Sequence, residues 1–392
     1  MQRIVVYTRA WRSGAGLYAQ GVVEGLAAEG RAVTFIAPAG APEDYTARFP
    51  NVHRVRPVRE QIGASSRLRR AFSSLARVLG GLSALLAARL TSSRFIVSIP
   101  DPFVFAIWPL ILLRLTGAKI VFICHDPEPH SWSLAPRWRW LERAGYRLMY
   151  KTASVLVVLA KAGQAPLIEM FDTPADKIAI VPHGAFQVRD AGPPPGTGML
   201  LAFGSIRRNK QVGLAIEAVI AARQAGHEVR LVVAGAGDPN DPAYLDECLA
   251  LAARCPDGVV MEVGFIPDER VDALLADCDA LLMPYTDFNS QSGVAVLAGM
   301  AGRPVIAAPA GGIADLIASG LAAIEIRSPI DLPSIVEAIA MFYATPNAEW
   351  TARAAQGRDL LAHALAWPRI GQQLATLLGS DARGPEEFTG SL

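Results

Sequence analysis

Residues 259–307, VVMEVGFIPDERVDALLADCDALLMPYTDFNSQSGVAVLAGMAGRPVIA, contain three short apolar runs separated by helical stretches. The runs are Val259–Val263, Ala280–Met283 and Pro304–Ala307. Short aliphatic runs that alternate with helices are typical of parallel strands whose two faces are both covered. This stretch therefore predicts a parallel β-sheet in a βαβ arrangement.

The same alternation extends over the rest of the chain. Further strand candidates are Ile4–Thr8, Ala32–Ala37, Phe95–Ile99, Lys119–Cys124, Val155–Val158, Ile178–Val181, Met199–Phe203 and Val229–Ala234. A Pro/Gly segment at 190–198 separates two series of strands, because it can continue neither a helix nor a sheet interior. The pattern predicts two doubly wound α/β domains, at 1–189 and 199–365. Ligands of such sheets bind beyond the carboxyl ends of the strands, so two facing domains would hold the site in the cleft between them.

The composition excludes several classes of protein. Of 392 residues, 52% are hydrophobic and 19% are charged, which is incompatible with a disordered chain. Four cysteines in this length form no disulfide framework, so we expect buried thiols in a reducing compartment. The strand-like run Arg3–Tyr7 leaves no room for a signal peptide, and Pro100-Asp101-Pro102 interrupts the most apolar stretch, 95–113. We therefore expect a cytoplasmic protein that does not span the membrane.

The net charge of +1 conceals an uneven distribution. Residues 1–190 carry 24 Lys and Arg against 13 Asp and Glu, and nine arginines lie within 51–94. Residues 65–90 combine arginines with apolar residues at helical spacing, as in helices that lie on an anionic membrane surface. The alternatives are an ordinary surface helix facing the core, or a nucleic-acid site, for which aromatic interleaving and a reading motif are missing. We expect the 51–94 region to contact an anionic membrane surface, at the inner face of the plasma membrane, and no nucleic acid.

A glycine-containing segment, RSGAGL at 12–17, follows the first strand. Gly14, Ala15 and Gly16 come just before a helix expected from about Leu17 to Glu29. Glycines let a backbone approach a ligand, and a helix amino end presents free N–H groups. The third glycine of the dinucleotide fingerprint is replaced by Ala19 and no acid ends the second strand, which weakens an NAD interpretation. A phosphate-binding or acceptor-binding loop is favoured over a simple tight turn.

Loops after the strands of the second half carry polar and basic residues. The loop after Met199–Phe203 holds Arg207, Arg208 and Lys210 just before a helix. Cations at the carboxyl end of a strand, beside a helix amino end, suit a pyrophosphate. Two further loops repeat this geometry, namely Val263–Pro267 with Gly264 and Phe265, and Pro284–Val294 with Ser290, Gln291, Ser292 and Gly293.

Residues 200–317 resemble the nucleotide-sugar domain of GT-B glycosyltransferases of the large family 4 type. The resemblance rests on FGSIRRNK, LVVAGAGD, VGFIPDERVDALLADCDALLMPY and QSGVAVLAGMAGRPVIAAPAGGIADLI, which occur in the family's order and spacing. ICHDPEPH with IVPHG fits the first domain of the family. The resemblance implies a GT-B fold, in which two Rossmann-like, doubly wound parallel-sheet domains face each other across a cleft.

The resemblance also implies a reaction. A sugar would pass from a nucleoside diphosphate donor, GDP- or UDP-linked, to a glycan or lipid-linked acceptor. No metal and no cofactor are implied, since the nucleotide sugar is a co-substrate. Arg207 and Lys210 match the positions that clamp the donor pyrophosphate, and Arg207 substitutes for an arginine that the family usually has at Ser205.

The chain departs from the family where many members carry two glutamates eight residues apart. The corresponding residues are Asn289 and Leu297, or Ser290 and Ala298 with a one-residue gap. The Ser-Gly pair in this loop resembles bacterial exopolysaccharide mannosyltransferases of the xanthan type. The donor contacts are then expected from Ser290, Gln291, Ser292, Gly293, Gly264 and Phe265.

Catalytic candidates follow the strand Lys119–Cys124. They are His125, Asp126 and Glu128, with His130 close by. If transfer inverts the anomeric configuration, a general base must take the acceptor proton, which suits Asp126 or Glu128. If it retains the configuration, the leaving phosphate needs stabilising, which suits His125 together with the basic loop. The plain alternative is a loop with a helix-capping Asp and a packed His.

Other conspicuous residues are expected to be structural. Asp277-Cys278-Asp279 spells the D-x-D that binds metal in another glycosyltransferase fold, but it falls in a turn between a helix and a strand. We expect no metal there. The tryptophans at 132, 138 and 140 are expected to pack within a helix, and His183 is expected to be structural. The last helix, near 366–380, is expected to return to the first domain.

The sequence thus predicts a glycosyltransferase of polysaccharide or glycolipid biosynthesis at the cytoplasmic membrane face. Two alternatives stay open, because a fold does not determine a function. A sugar-nucleotide epimerase on the same two-domain plan would isomerise the donor or release free sugar without an acceptor. A catalytically silent member that binds only a nucleotide or a partner would account for the missing glutamates.

Overall fold

A computed structural model describes residues 3–9, 11, 14–38, 48–56, 67–98, 104–127, 136–185 and 188–379. By its internal contacts the chain divides into two compact units. Unit 1 comprises Met1–Gly184 with Leu365–Leu392, and unit 2 comprises Ala185–Ala364. Each unit is built on one parallel sheet with helices on both faces.

Unit 1 has the strand order β3-β2-β1-β4-β5-β6-β7. Its strands are β1 (Ile4–Tyr7), β2 (Val33–Ile36), β3 (Val52–Val55), β4 (Arg94–Val97), β5 (Lys119–Cys124), β6 (Val155–Val158) and β7 (Ile178–Ile180). Its helices are α1 (Gly14–Ala28), α2 (Arg67–Arg89), α3 (Val104–Leu115), α4 (Arg139–Thr152), α5 (Gln164–Phe171) and α13 (Trp367–Gly379). The order changes direction between β1 and β4, and doubly wound sheets bind ligands at such switch points.

The two faces of the unit 1 sheet carry different helices. One face packs against α1 and α13, and the other against α2, α3, α4 and α5. Helices α1 and α13 cross closely because glycines lie at the crossing. A Cβ on Gly25 would lie 2.0 Å from the carbonyl oxygen of Trp367. The buried side chains of Ile370, Leu374 and Leu378 make the last helix part of the core of the first unit.

Unit 2 has the strand order β10-β9-β8-β11-β12-β13. Its strands are β8 (Met199–Phe203), β9 (Arg230–Gly235), β10 (Val259–Val263), β11 (Ala280–Met283), β12 (Val305–Ala307) and β13 (Ala323–Glu325). Its helices are α6 (Val212–Gln224), α7 (Pro242–Ala252), α8 (Asp268–Asp277), α9 (Gly293–Met300), α10 (Gly312–Ala318), α11 (Leu332–Ala344) and α12 (Asn347–Ala364). The switch point of this sheet lies between β8 and β11.

Two buried charged side chains hold the segment 190–198 to the body of unit 2. Asp279 accepts hydrogen bonds from three successive backbone N–H groups at 196–198, over distances from 2.6 to 3.0 Å. Arg303 is 1% exposed and donates to the carbonyl oxygens of Ala191 at 2.8 Å and Leu275 at 2.5 Å. The second Asp of the D-x-D sequence therefore has a structural task in this turn.

The structure differs from the sequence-based expectations in several elements. The apolar pattern does not predict β3 or β13, because their sequences, VHRV and AIE, contain too short an apolar run. Helix α1 begins at Gly14 rather than at Leu17, so the predicted glycine loop is the first turn of the helix. Trp138 and Trp140 are exposed, contrary to the prediction that they pack within a helix. No helix in the described part of the chain is both long and apolar enough to cross a membrane.

Candidate functional site

The loop that follows β8 is tied to the loop that follows β11, its neighbour across the switch point of unit 2. The Thr286 N–H donates to the carbonyl oxygen of Asn209 at 2.8 Å. The side-chain amide of Gln211 donates to the Thr286 hydroxyl at 2.9 Å, and Gln211 has a left-handed backbone with φ of 52°. These bonds hold the basic segment 207–211 at the carboxyl ends of two adjacent strands.

The side chain of Lys210 lies beside Tyr285 and Gly204 at the end of β8. The Nζ of Lys210 is 5.4 Å from the ring centroid of Tyr285. A Cβ atom added to Gly204 would lie 2.7 Å from the same Nζ. Burial, with a further contribution from Arg207, lowers the pKa of Lys210 to about 8. No carboxylate of the described residues pairs with Lys210, although both arginines of the same loop have such partners. An anion that reached this desolvated cation would stabilise its charged form.

The two arginines of this loop differ in their surroundings. Arg208 donates to Asp241 at 2.6 Å and to both carboxylate oxygens of Glu247, at 2.8 and 3.1 Å. The Nε of Arg207 lies 3.3 Å from a carboxylate oxygen of Asp238, without hydrogen-bonding geometry. Arg207 is also close enough to lower the pKa of Lys210. Arg208 is therefore held by its own ion pairs, whereas Arg207 and Lys210 form the cationic pair of the site.

The amino end of α9 lies at the same strand end as the lysine amine. A Cβ on Gly204 would lie 3.3 Å from the side chain of Val294, in the first turn of α9. Ser292 caps this helix, since its Oγ accepts a backbone N–H three residues further on at 3.2 Å. Gly293 is exposed, with open space where a side chain would begin. A helix amino end carries positive partial charge, so it and Lys210 together form an anion site.

The other residues predicted to bind a donor are distributed around this position. Ser290 and Gln291 lie in the loop before α9, and the Ser290 carbonyl oxygen accepts the Gly312 N–H at 3.0 Å. Gly264 and Phe265 follow β10, which lies two strands away from β8 in the sheet. Gly264 has a φ of 133°, and Phe265 is 88% exposed. Ser292 is buried with its hydroxyl engaged in the cap, so it supports the loop rather than presenting a hydroxyl to a ligand.

A second cluster lies in unit 1, where β4 and β5 end side by side. The Ser98 Oγ is 3.1 Å from Nε2 of His125. The ring of Tyr18, from α1, meets both His125 and His183 edge-on, with centroid distances of 5.1 Å. The buried Tyr18 hydroxyl has no hydrogen-bond partner within the described ranges. His183 therefore belongs to the same cluster as His125.

Burial determines the charge of these two histidines. It lowers the pKa of His125 to about 4, and the neighbouring His183 contributes in the same direction, while Asp126 opposes the shift. Burial also lowers the pKa of His183. A neutral imidazole can donate and accept hydrogen bonds, but it does not oppose the charge of a phosphate. This low pKa argues against the cationic role that a retaining reaction would give His125.

The lowered pKa of His125 makes the stability of unit 1 depend on pH. In the unfolded state His125 is protonated below about pH 6.5, whereas in the folded state it is protonated only below about pH 4. The free energy of unfolding therefore decreases as the pH falls between these values. We expect His125 to remove about 2 kcal/mol of stability between pH 7.5 and pH 5. Hydrogen exchange in β4 and β5 should therefore depend less on pH in His125→Gln. The exposed His53, changed to Gln, is the control, and an equal pH dependence of both variants would contradict the shift.

The remaining predicted residues of the first half lie near this cluster or outside the described ranges. Gly14–Gly16 form the first turn of α1, after β1 and therefore at the switch point of the sheet. A Cβ on Gly14 would meet open space. Asp126 follows His125 directly and is half-buried. Glu128 and His130 lie outside the described residues.

Sequence reasoning did not single out several residues that shape these two sites. Tyr18, Ser98, Tyr285 and Thr286 act through contacts with residues far away in the sequence. Ser98 had no signal as a site residue, because it lay within the predicted strand Phe95–Ile99, whereas the observed strand ends at Val97. Tyr18 lies within a helix and had no such signal.

Solved structures similar to this chain define the class of its fold. The HepE protein of Anabaena, in complex with UDP and glucose, matches with a TM-score of 0.68 and 17% identity. The match covers 97% of this chain and 100% of that chain. Together with the two parallel-sheet units, this likeness shows a GT-B fold.

Sequence comparisons then identify the family. Residues 12–185 match the model of "Glycosyltransferase Family 4", and residues 197–344 match that of "Glycosyl transferases group 1". Together these matches cover most of the chain, which belongs to the family 4-like glycosyltransferases and has the GT-B fold. The expected family resemblance is thereby confirmed.

Curated relatives of the chain are distant. An uncharacterized glycosyltransferase of Methanocaldococcus jannaschii is 25% identical over 234 residues, which are 53% of this chain and 57% of that protein. The 2-deoxystreptamine glucosyltransferase of Streptomyces kanamyceticus is 29% identical over 185 residues, or 46% of each chain. The chain thus spans about half the length of these relatives.

Proposed function

We propose that this chain transfers a sugar from a nucleoside diphosphate donor to a glycan or lipid-linked acceptor, in polysaccharide or glycolipid biosynthesis at the inner face of the cytoplasmic membrane. The observation that carries the proposal is Lys210, a desolvated cation without a carboxylate partner in the described residues, beside the amino end of α9. Both features attract a diphosphate, and they meet at the switch point of a doubly wound sheet.

The chemistry of this proposal lies in the leaving group. When the bond between the anomeric carbon and the diphosphate oxygen breaks, negative charge grows on the diphosphate. Lys210 and the N–H groups of the first turn of α9 stabilise that charge, and Arg207 adds a second cation. The nucleotide sugar is a co-substrate, and the proposed reaction uses no resident metal or cofactor.

We assign the acceptor to unit 1. The first turn of α1, at Gly14–Gly16, offers N–H groups and open space beside Gly14. The neutral His125 orients an acceptor hydroxyl by hydrogen bonding, and the carboxyl group of Asp126 beside it is the candidate proton acceptor. This assignment divides donor and acceptor recognition between the two units of the chain.

The donor is tested by the thermal stability of the purified protein with UDP, GDP, ADP and NAD at equal excess. HepE of Anabaena, a structural neighbour, was solved with UDP, which supports UDP as the first probe. A ligand at about 100 times its dissociation constant stabilises the native state by about 2.7 kcal/mol. We expect a shift with UDP or GDP, followed by transfer of the matching sugar in product analysis. A shift with NAD alone would overturn the proposal.

One observation favours a second candidate, a member that binds a nucleotide without catalysis. Helix α9 and the loop before it carry no carboxylate at the positions of the family's paired glutamates, neither at Asn289 and Leu297 nor at Ser290 and Ala298. A shift with UDP, but no product with any UDP-sugar and acceptor, would support this candidate. Isomerised donor without an acceptor would instead indicate an epimerase.

A further inference from the structure

Helices α2, α3 and α4 form a layer on one face of the unit 1 sheet, and the fourth helix of that face, α5, packs beside α4. Helix α2 packs beside α3, and α3 packs beside α4. Each turns apolar side chains inward to the sheet, among them Leu85 from α2, Leu110 from α3 and Met149 from α4. Their opposite sides therefore form one outer surface of unit 1.

This outer surface carries apolar side chains at helical spacing. On α3, Trp108, Leu112 and Leu115 lie four and three residues apart, and all three are exposed, Leu115 by 78%. Such spacing places them on one stripe of the helix. Further exposed apolar residues of the layer are Leu75, Leu79, Leu86, Leu90, Trp138, Trp140, Leu141 and Leu148. Apolar stripes on three adjacent helices are unusual for a surface that meets only water.

The charges of α2, α3 and α4 are almost all positive, whereas the neighbouring α5 adds one exposed acid, Glu169. By sequence, α2, α3 and α4 together carry ten Arg and Lys residues and a single acid, Glu142. Glu142 is 1% exposed, so it does not oppose the cations at the surface. Arg147 pairs with Asp172, and Arg89 is engaged with Thr116. The other cations of the layer include Arg114 and Arg139, both exposed.

We propose that this three-helix face docks unit 1 on an anionic phospholipid membrane. Basic residues near an anionic surface contribute about 1 kcal/mol each, while leucines and tryptophans enter the headgroup region. A second copy of the chain would bring cations against the same cations, which is unfavourable. Nucleic acid would match the charge but leave the leucine stripes in water. The face reaches beyond the basic 51–94 region to α3 and α4.

The test is co-sedimentation of the full chain with vesicles of phosphatidylcholine, alone or mixed with phosphatidylglycerol. We expect binding to the mixed vesicles that weakens as salt is raised, and little binding to the neutral ones. Arg114→Glu with Arg139→Glu should weaken binding at least about tenfold, because both charges are reversed. Leu112→Ser with Leu115→Ser should also weaken it, since apolar burial is lost.

Matched controls come from the exposed surface of unit 2. Arg254→Glu and Leu249→Ser make the same chemical changes at exposed positions and should leave vesicle binding unchanged. Equal binding to neutral and anionic vesicles, or unchanged binding by the α3 and α4 variants, would overturn the proposal. So would a dimer that the leucine variants abolish, because the face would then bind a second copy. This inference rests on the membrane location in the proposed function and would remove that location if it failed. Vesicle binding needs no sugar transfer, so the proposed transfer reaction can still succeed or fail separately.

Discussion

Replacing Lys210 with Ala should lower kcat/KM for sugar transfer by about 10² to 10³-fold while the chain stays folded. Removing one preorganised group that stabilises developing charge has an effect of this size. The lysine is well placed for such a role because it is desolvated and has no carboxylate partner in the described part of unit 2. Its removal also takes a partly desolvated, unpaired cation out of unit 2, so stability should be kept or increased.

Arg208→Ala is the matched control for Lys210→Ala. It removes a cation two residues away in the same loop, but one whose guanidinium is held by Asp241 and Glu247. We expect kcat/KM to change by no more than a few fold. Steady-state kinetics of both variants, with the UDP dissociation constant measured separately, makes the comparison. Equal losses in the two variants would show that the loop acts through its general charge and not through Lys210.

The pH dependence of nucleotide binding is a second test of the role of Lys210. The pKa of Lys210 in the free protein is lowered to about 8, so part of the population loses its charge just above neutral pH. Nucleotide binding to the wild type should therefore weaken as the pH rises through 8. The same decline should be absent in Lys210→Ala.

The sequence predicted the architecture because buried parallel strands leave a strong local signal. The runs that became β8, β9 and β11 were found almost to the residue, since both faces of each strand are covered. The edge strands β3 and β13 were missed because their apolar runs are too short, whereas the edge strand β10 was found through the run VVMEV although it is also partly exposed. The local pattern thus detects a strand when its apolar run is long enough, whether or not the strand is fully buried.

The candidate site was predictable only as far as residue types allow. The segment IRRNK predicts an anion site, but the sequence does not show which of its three cations is paired with a carboxylate. Arg208 is held by Glu247, 39 positions away, while Lys210 lies against the Tyr285 ring, which follows another strand. Similarly, the charge of His125 depends on burial beside Tyr18 and His183. These contacts and this burial arise only in the folded sheet, between residues that are distant in the sequence.

The return of the last helix to unit 1 rests on glycines whose importance no local pattern reveals. Helix α1 contains Gly14, Gly21 and Gly25, which look equivalent in sequence. A Cβ on Gly21 would lie 2.2 Å from the Trp367 ring, and one on Gly25 would lie 2.0 Å from the Trp367 carbonyl oxygen. A ring can rotate away, whereas a backbone carbonyl moves only with its helix. Of these three glycines, Gly25 is therefore the one at which an added side chain should disturb the packing of α13 most.

Gly25→Ala should destabilise unit 1 by about 3 kcal/mol, because overpacking that displaces backbone costs this much. Gly14→Ala in the same helix meets open space and should change stability by at most about 1 kcal/mol, in the favourable direction, since alanine is the better helix former. Hydrogen exchange resolves the two units, and we expect faster exchange in α1 and α13 of Gly25→Ala with unit 2 unchanged. If both variants exchanged alike, α13 would not depend on the close crossing at Gly25. Protection lost equally in both units would show that the substitution acts globally instead.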